Sequence, residues 1–415
     1  MGGVGGGIPN TPGTTYGGAT DPSAIQIMEG FRLIPSIQVA ERYDSNVYYA
    51  PKSQTQGLTR QDYVTTTAPQ LRGLYAGSLV SVNATAAAVA EYYAMNTGLS
   101  YVGLNAGIAL DMSKLLGQWR EGSTLTVSDG YTYTPQPPAF LSGDQSGDSA
   151  NPLVRGFQTN RNNTTANVFT ANLAVPISQV VKLIGGYSNG FRHFGSSQVP
   201  QAGGLINQNF QTYSAGLSMQ VSNQDTISTS FIDSEFDSGS AGTFTTRGGT
   251  IGWRHGFTPT ISMNSYAGAA VLSGDSNGVP LSSTIAPTAG LSILWKDSTT
   301  SATFGYTGGI TPSYQFQSAA LLTHTVSFNV VQQTPIRELL GVFNLNYGVA
   351  NQYGSSSGPS VSYTTVGGGG GLLYKFTAQT YLALNYNYLN FENKFGGTVL
   401  AFDKHVVQMS LAHAF

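Results

Sequence analysis

Residues 212–222 read Thr-Tyr-Ser-Ala-Gly-Leu-Ser-Met-Gln-Val-Ser. Tyr213, Ala215, Leu217, Met219 and Val221 alternate without a break with Thr212, Ser214, Gly216, Ser218, Gln220 and Ser222. A β-strand turns successive side chains to opposite faces, so this stretch is a two-faced strand. One face is apolar. The other is small and uncharged, where a soluble sheet would set Lys, Glu, Asp and Arg against water.

The pattern repeats along the chain. Val80, Val82, Ala84, Ala86, Ala88, Ala90 and Tyr92 form one such apolar row, Phe169, Ala171, Leu173 and Val175 another, and Phe343, Leu345, Tyr347 and Val349 a third. Strands are predicted at 33–48, 62–76, 78–93, 99–112, 122–134, 164–176, 180–191, 208–222, 225–235, 243–255, 260–272, 284–296, 300–312, 322–333, 338–350, 361–376, 380–391 and 404–415. Connections alternate between short turns, such as Lys296-Asp-Ser-Thr, and longer loops, such as 50–61, 136–163 and 192–208. Antiparallel strands joined alternately by short periplasmic turns and longer extracellular loops describe an all-β, up-and-down transmembrane barrel of about 18 strands, with 16 also compatible. Closure matters because lipid offers no partner to an unpaired sheet edge.

Composition agrees. The 415 residues carry 18 Lys+Arg against 20 Asp+Glu, a formal charge of −2, and only 9% of them are charged, against about a quarter in an average soluble protein. The near-balance gives no reason to expect nucleic acid as a partner. There is no cysteine, and the five histidines, 193, 255, 324, 405 and 413, show no metal-ligand spacing, so neither metal nor cofactor is implied. No apolar run is long enough for a helical membrane span. The opening residues lack a basic region followed by an apolar one, which reads as a start near a mature N-terminus. Residues 1–30 are expected to form a Gly-rich tail or plug and 31–415 the barrel.

A barrel of this size leaves an aqueous channel. By parity the inward set includes Asn83, Thr85, Glu91, Asn105, Asp111, Thr170, Asn172, Ser214, Ser218, Gln220, Thr303, Thr307, Asn344, Asn346, Asn385 and Asn387. Such a lining is expected to be weakly charged and to accept small polar solutes. The loop at 136–163 holds a position and length similar to the constriction loop of general diffusion porins, with Asp144, Asp148, Arg155 and Arg161 available to set a field across the opening. Tyr48, Tyr49, Tyr92, Tyr93, Tyr187, Phe191, Trp253, Trp295, Tyr374 and Tyr388 are candidates for the aromatic girdles at the membrane interfaces. Enzyme readings are poor: there is no G-x-S-x-G motif, Gly367 to Gly371 lacks the Lys-Ser/Thr of a phosphate loop, and His324 is the one candidate base worth naming.

Val407, Met409, Leu411, His413 and Phe415 alternate up to the terminal residue, which resembles the C-terminal strand signature of bacterial outer-membrane proteins. That resemblance implies recognition by the barrel-assembly machinery through Leu411, His413 and Phe415, although His413 stands where an aromatic such as Tyr is commoner. Phe31-Arg-Leu-Ile-Pro-Ser-Ile, Glu41-Arg-Tyr-Asp-Ser-Asn-Val-Tyr, Asp62 and Ala68-Pro69-Gln70-Leu71 resemble the opening of the Gram-negative β-barrel porin group, some of whose members are linked to exopolysaccharide secretion. The resemblance covers about 45 residues in motif. It implies residence in the bacterial outer membrane among lipid and lipopolysaccharide, and three functions remain open: a diffusion porin, alone or as a homo-oligomer; an export barrel for a polysaccharide; and a scaffold holding a periplasmic or surface partner such as a cytochrome.

Overall fold

The computed structural model describes residues 25–136, 162–197, 205–239, 242–276, 279–312, 320–353, 361–395 and 398–415. Among the described residues nineteen strands follow one another: β1 (Ile25–Met28), β2 (Phe31–Asp44), β3 (Asp62–Ala76), β4 (Ser81–Tyr93), β5 (Tyr101–Asp111), β6 (Thr124–Gln136), β7 (Asn162–Pro176), β8 (Val181–Ser197), β9 (Gln208–Gln220) and β10 (Asp225–Asp237). The series continues with β11 (Thr243–Gly256), β12 (Ile261–Ser276), β13 (Val279–Lys296), β14 (Thr300–Pro312), β15 (Ala320–Gln333), β16 (Leu339–Tyr353), β17 (Val361–Lys375), β18 (Thr380–Phe395) and β19 (Thr398–Ala414).

From β2 onward each strand pairs antiparallel with the next, and β19 pairs with β2 from Val406↔Asp44 to Ala414↔Ser36. The ring of eighteen is therefore closed. The short β1 hangs on β2 as a hairpin arm. Following cross-strand partners from Arg42 once around the ring, with each register carried past the strand end where needed, returns to β2 at position 64, a stagger of 64 − 42, or about 22 residues. With strands about 4.8 Å apart, that stagger and strand number set a tilt near 40° and a backbone radius of about 18 Å. Side chains projecting roughly 6 Å inward would leave an interior on the order of 20 Å across before any loop enters it.

Paired residues share a face, so the register sorts every strand into inward and outward side chains. Outward lie Val102, Leu104, Ile108, Leu217, Phe231, Ile251, Ile285, Phe343, Leu345, Leu384, Met409 and Leu411, all exposed, Ile285 by 68%. A continuous belt of this kind is stable against acyl chains and not against water. The chain is an outer-membrane β-barrel. On the same face Asp129 accepts the Asn167 Nδ2 hydrogen at 3.0 Å.

Five of the periplasmic turns share one device. Ser178, Ser222, Thr258, Asp297 and Thr377 each accept backbone N–H groups two and three residues on, which closes a tight turn without glycine. At Asp297 the N–H groups of Thr299 and Thr300 hold the carboxyl below its ordinary range. The connection after β5 contains a short helix, α1 (Ser113–Trp119), that strand periodicity did not reveal.

Residues 45–48 are not strand. β2 ends at Asp44, whose carboxylate accepts the Asn46 N–H at 3.0 Å, an Asx turn that takes the chain off the sheet and into the interior. Two girdle assignments, Tyr48 and Tyr49, fail with it, and Tyr93 fails because it faces inward on β4. Tyr48 and Tyr93 are buried, Tyr49 packs on the inward Phe402, and none of the three meets lipid. Tyr92, Tyr187, Phe191, Trp253, Trp295, Tyr374 and Tyr388 do face outward, joined by all five histidines. His255 and Trp253 both reach Asp225, at 2.7 and 2.9 Å, near the periplasmic interface.

Reversing one side chain across a single strand tests the two faces. Phe231→Arg, on the lipid side of β10, is expected to destabilise the barrel by about 2–4 kcal/mol, whereas Ser230→Arg, one residue away and inward, should be tolerated. Urea titration in phospholipid vesicles, followed by heat-modifiable gel mobility, separates the two; equal losses would mean the faces are misassigned.

Candidate functional site

The interior is the candidate site. Asn83, Thr85, Glu91, Asn105, Asp111, Thr170, Asn172, Ser214, Ser218, Gln220, Thr303, Thr307, Asn344, Asn346, Asn385 and Asn387 all stand on the face opposite the apolar belt. Fifteen of them are half-buried or exposed to the interior; Glu91 is buried. Asp144, Asp148, Arg155 and Arg161, with the loop that carries them, lie outside the described residues, as does the tail up to residue 24.

Four of the asparagines converge. Asn344 and Asn346 on β16, and Asn385 and Asn387 on β18, flank β17, whose inward residues at this height are Gly367, Gly369 and Gly371. A Cβ at any of these glycines would collide with the amide oxygen of Asn346, Asn387 or Asn385 respectively. The glycine run is therefore a bed on which the amides lie, giving a stretch of wall that donates and accepts hydrogen bonds without charge.

Height divides the interior. Towards the extracellular end many inward residues are closed from solvent, and two apolar clusters stand out among them: Phe210, Phe236, Phe244 and Leu272 form one, and Leu321, Val361, Tyr363, Phe391 and Phe402 belong to a second. Towards the periplasm the inward face is polar and open. Periodicity alone could not anticipate this, because an inward aromatic at one height and a polar residue at another obey the same alternation.

A buried charge network sits in the closed half. The Arg42 guanidinium donates to both Glu91 carboxylate oxygens, at 3.0 and 3.1 Å, and to the Tyr93 hydroxyl at 3.2 Å. Lys404 Nζ lies 2.6 Å from Asp44 Oδ2, donates to the Asn46 carbonyl at 3.2 Å, and stands 3.5 Å above the Tyr49 ring. Asp62 accepts the backbone N–H groups of Tyr63, Met95 and Asn96 and the Asn96 side-chain amide. Above this network residues 46–50 fold inward, where Val47, Tyr48 and Ala50 pack on Val64, Tyr93 and Leu99. Tyr49 has φ 53°, and among the described residues it is the one non-glycine with a positive φ. A bulky side chain in that region carries strain of about 1–3 kcal/mol, which the surrounding contacts must offset.

The register also separates charge. Among the described strand residues the inward face carries Arg32, Arg42, Arg72, Lys182, Arg192, Arg254, Lys296, Lys375 and Lys404 against Asp44, Asp62, Glu91 and Asp111, nine basic groups to four acidic. Most of the remaining strand carboxylates, Glu41, Asp225, Asp233, Glu235, Asp237, Glu392 and Asp403, face out, so a chain of near-zero charge has a basic interior. The charges on the lining are few, and this sorting gives them a basic bias that composition does not show. Arg32, Lys182, Arg254, Lys296 and Lys375 stand at the periplasmic ends of their strands and form a basic rim. His324, the candidate base, faces outward beside the Tyr306 hydroxyl, at 2.9 Å. Among the described residues no group of His, Asp and Glu is arranged to hold a metal.

No family model and no curated protein matches the chain. Solved structures similar to it include OccK2 (OpdF) of Pseudomonas aeruginosa, with 10% identity over 94% of this chain and 99% of that one and a TM-score of 0.49. The outer membrane protein opdK from Pseudomonas aeruginosa is 12% identical over 92% of this chain and 99% of that one, with a TM-score of 0.47. A BenF-like porin from Pseudomonas fluorescens Pf-5 is 9% identical over 92% and 99%, with a TM-score of 0.49. The architecture itself stands on this chain's own closed hydrogen-bond register.

The Arg42–Glu91 pair is buried on both sides, with side-chain exposures of 12% and 6%. Removing one partner strands the other charge, so Glu91→Ala is expected to lower unfolding free energy by about 3–5 kcal/mol, and the Arg42→Met, Glu91→Leu double variant by less. Urea midpoints of the refolded barrels read both values.

Proposed function

We propose that this barrel is a porin-like channel that passes small polar solutes across the outer membrane and prefers anions. The observation that carries the reading is the inner face: open and hydrogen-bonding in its periplasmic half, with nine basic groups to four acidic. A diffusing solute exchanges water for Ser, Thr, Asn and Gln at little loss, while Arg and Lys on a low-dielectric wall raise the local concentration of anions. The amide bed of β16–β18 would hold a neutral polar group briefly without trapping it. The final strand, ending at Leu411, His413 and Phe415, supports insertion by the barrel-assembly machinery.

Planar-bilayer recording tests this directly. Under a KCl gradient the reversal potential is expected on the chloride side. The Lys182→Glu, Arg254→Glu, Lys296→Glu triple variant, which changes the rim by six charges, should move it toward the potassium side. A correctly folded barrel that never conducts would instead be a sealed scaffold, and cation preference in the parent protein would refute the anion reading.

A further inference from the structure

Residues 45–61 connect the first two strands of the ring, and part of this connection lies inside the wall. Its backbone is tied to itself by Val47 N–H to the Arg60 carbonyl at 2.8 Å and by Arg60 Nη2 to the Ala50 carbonyl at 3.1 Å. On one flank Tyr48 donates to Asn96 Oδ1 at 2.9 Å while Val47 and Ala50 share a core with the inward Val64 and Tyr93. On the other flank Tyr49 lies edge-on to Phe402 and beneath Lys404, both inward on β19. The segment thus spans the inner surface of four consecutive strands, β19, β2, β3 and β4, as a second layer in the half of the barrel where the inward residues are buried.

Nothing about barrel closure requires this. Asp44 and Asp62 are cross-strand partners, so a two-residue turn a step beyond them would complete the same hairpin. Thirteen extra residues, a strained tyrosine backbone and a buried ammonium instead fill space inside the wall. Resting on the channel reading above, we propose that the inward connection 45–61 is the element that sets the size limit of this channel, with Tyr49 and Lys404 as the residues that hold it against the wall. Solutes entering from outside would pass this layer before they meet the polar vestibule, so its removal should enlarge the pore and leave the basic lining untouched.

The test replaces residues 46–60 with Asn-Gly and, separately, makes Tyr49→Gly, which keeps a left-handed backbone accessible while deleting the ring under Lys404. Heat-modifiable mobility confirms folding of each. The turn variant is expected to raise single-channel conductance roughly twofold or more and to admit larger neutral solutes in liposome swelling, with a smaller rise for Tyr49→Gly. A silent parent barrel with a conducting turn variant also supports the proposal. If the parent conducts and the folded turn variant matches it in conductance and size limit, the inference is overturned while the channel reading stands. If the turn variant does not fold, unchanged conductance in Tyr49→Gly overturns the inference. Folded barrels silent in both forms overturn the two readings together.

Discussion

Backbone hydrogen bonding in a medium without water governs this structure. Every N–H and C=O inside the hydrocarbon must find a partner in the protein, and a sheet meets that demand by leaving no edge. The pairing of Val406–Ala414 with Ser36–Asp44 is the contact that removes the last edge, between strands some 360 residues apart in sequence. Once the ring exists, side-chain period does the rest: odd and even positions are committed to lipid or to the interior, and the register carries that choice from strand to strand, with shifts only near the extracellular ends of the β7–β8 and β12–β13 pairs among the described residues.

Closure has an electrostatic consequence that composition conceals. Basic and acidic residues are nearly equal in number, yet most strand carboxylates sit outside or near the rims while nine of the Arg and Lys groups point in. A charge on an inner wall acts on a confined water column backed by low-dielectric protein and lipid, whereas a carboxylate at an outer rim is screened within about 8 Å by physiological salt. On the channel reading proposed above, the two populations do not cancel for a solute inside the ring.

Much of the architecture was legible because strand periodicity is local. Eleven residues at 212–222 suffice to show both faces, and the parity assignments of Ser214, Ser218, Asn344 and Asn385 need only their own neighbours. What could not be read depends on contacts across the ring. Arg42 meets Glu91 over 49 residues and Lys404 meets Asp44 over 360. Tyr48 and Tyr49 carry the composition of an interface girdle, and the Asx turn at Asp44 that swings them inward shows itself only when the hairpin register is known. Aromatic content marks a boundary between polar and apolar surroundings; it does not say whether that boundary is a membrane surface or the inside of a wall.

The vertical asymmetry of the interior follows from the same arithmetic of space. An eighteen-strand ring encloses far more volume than its own inward side chains can fill, so any part of it that is closed must be closed by chain folded in from elsewhere. Val64, Leu272, Leu321 and Ala350 are fully buried although they face a cavity on the order of 20 Å wide, and burial of that degree requires atoms stacked against them. At Val64 those atoms are Val47, Tyr48 and Ala50. Their apolar contacts give the inward connection a reason to stay, while Asp44 and Lys404 fix where it sits, the first accepting the Asn46 N–H and the second donating to the Asn46 carbonyl. Apolar packing supplies the attraction and the polar contacts supply the position, and together they hold a second layer of chain against the inside of the ring.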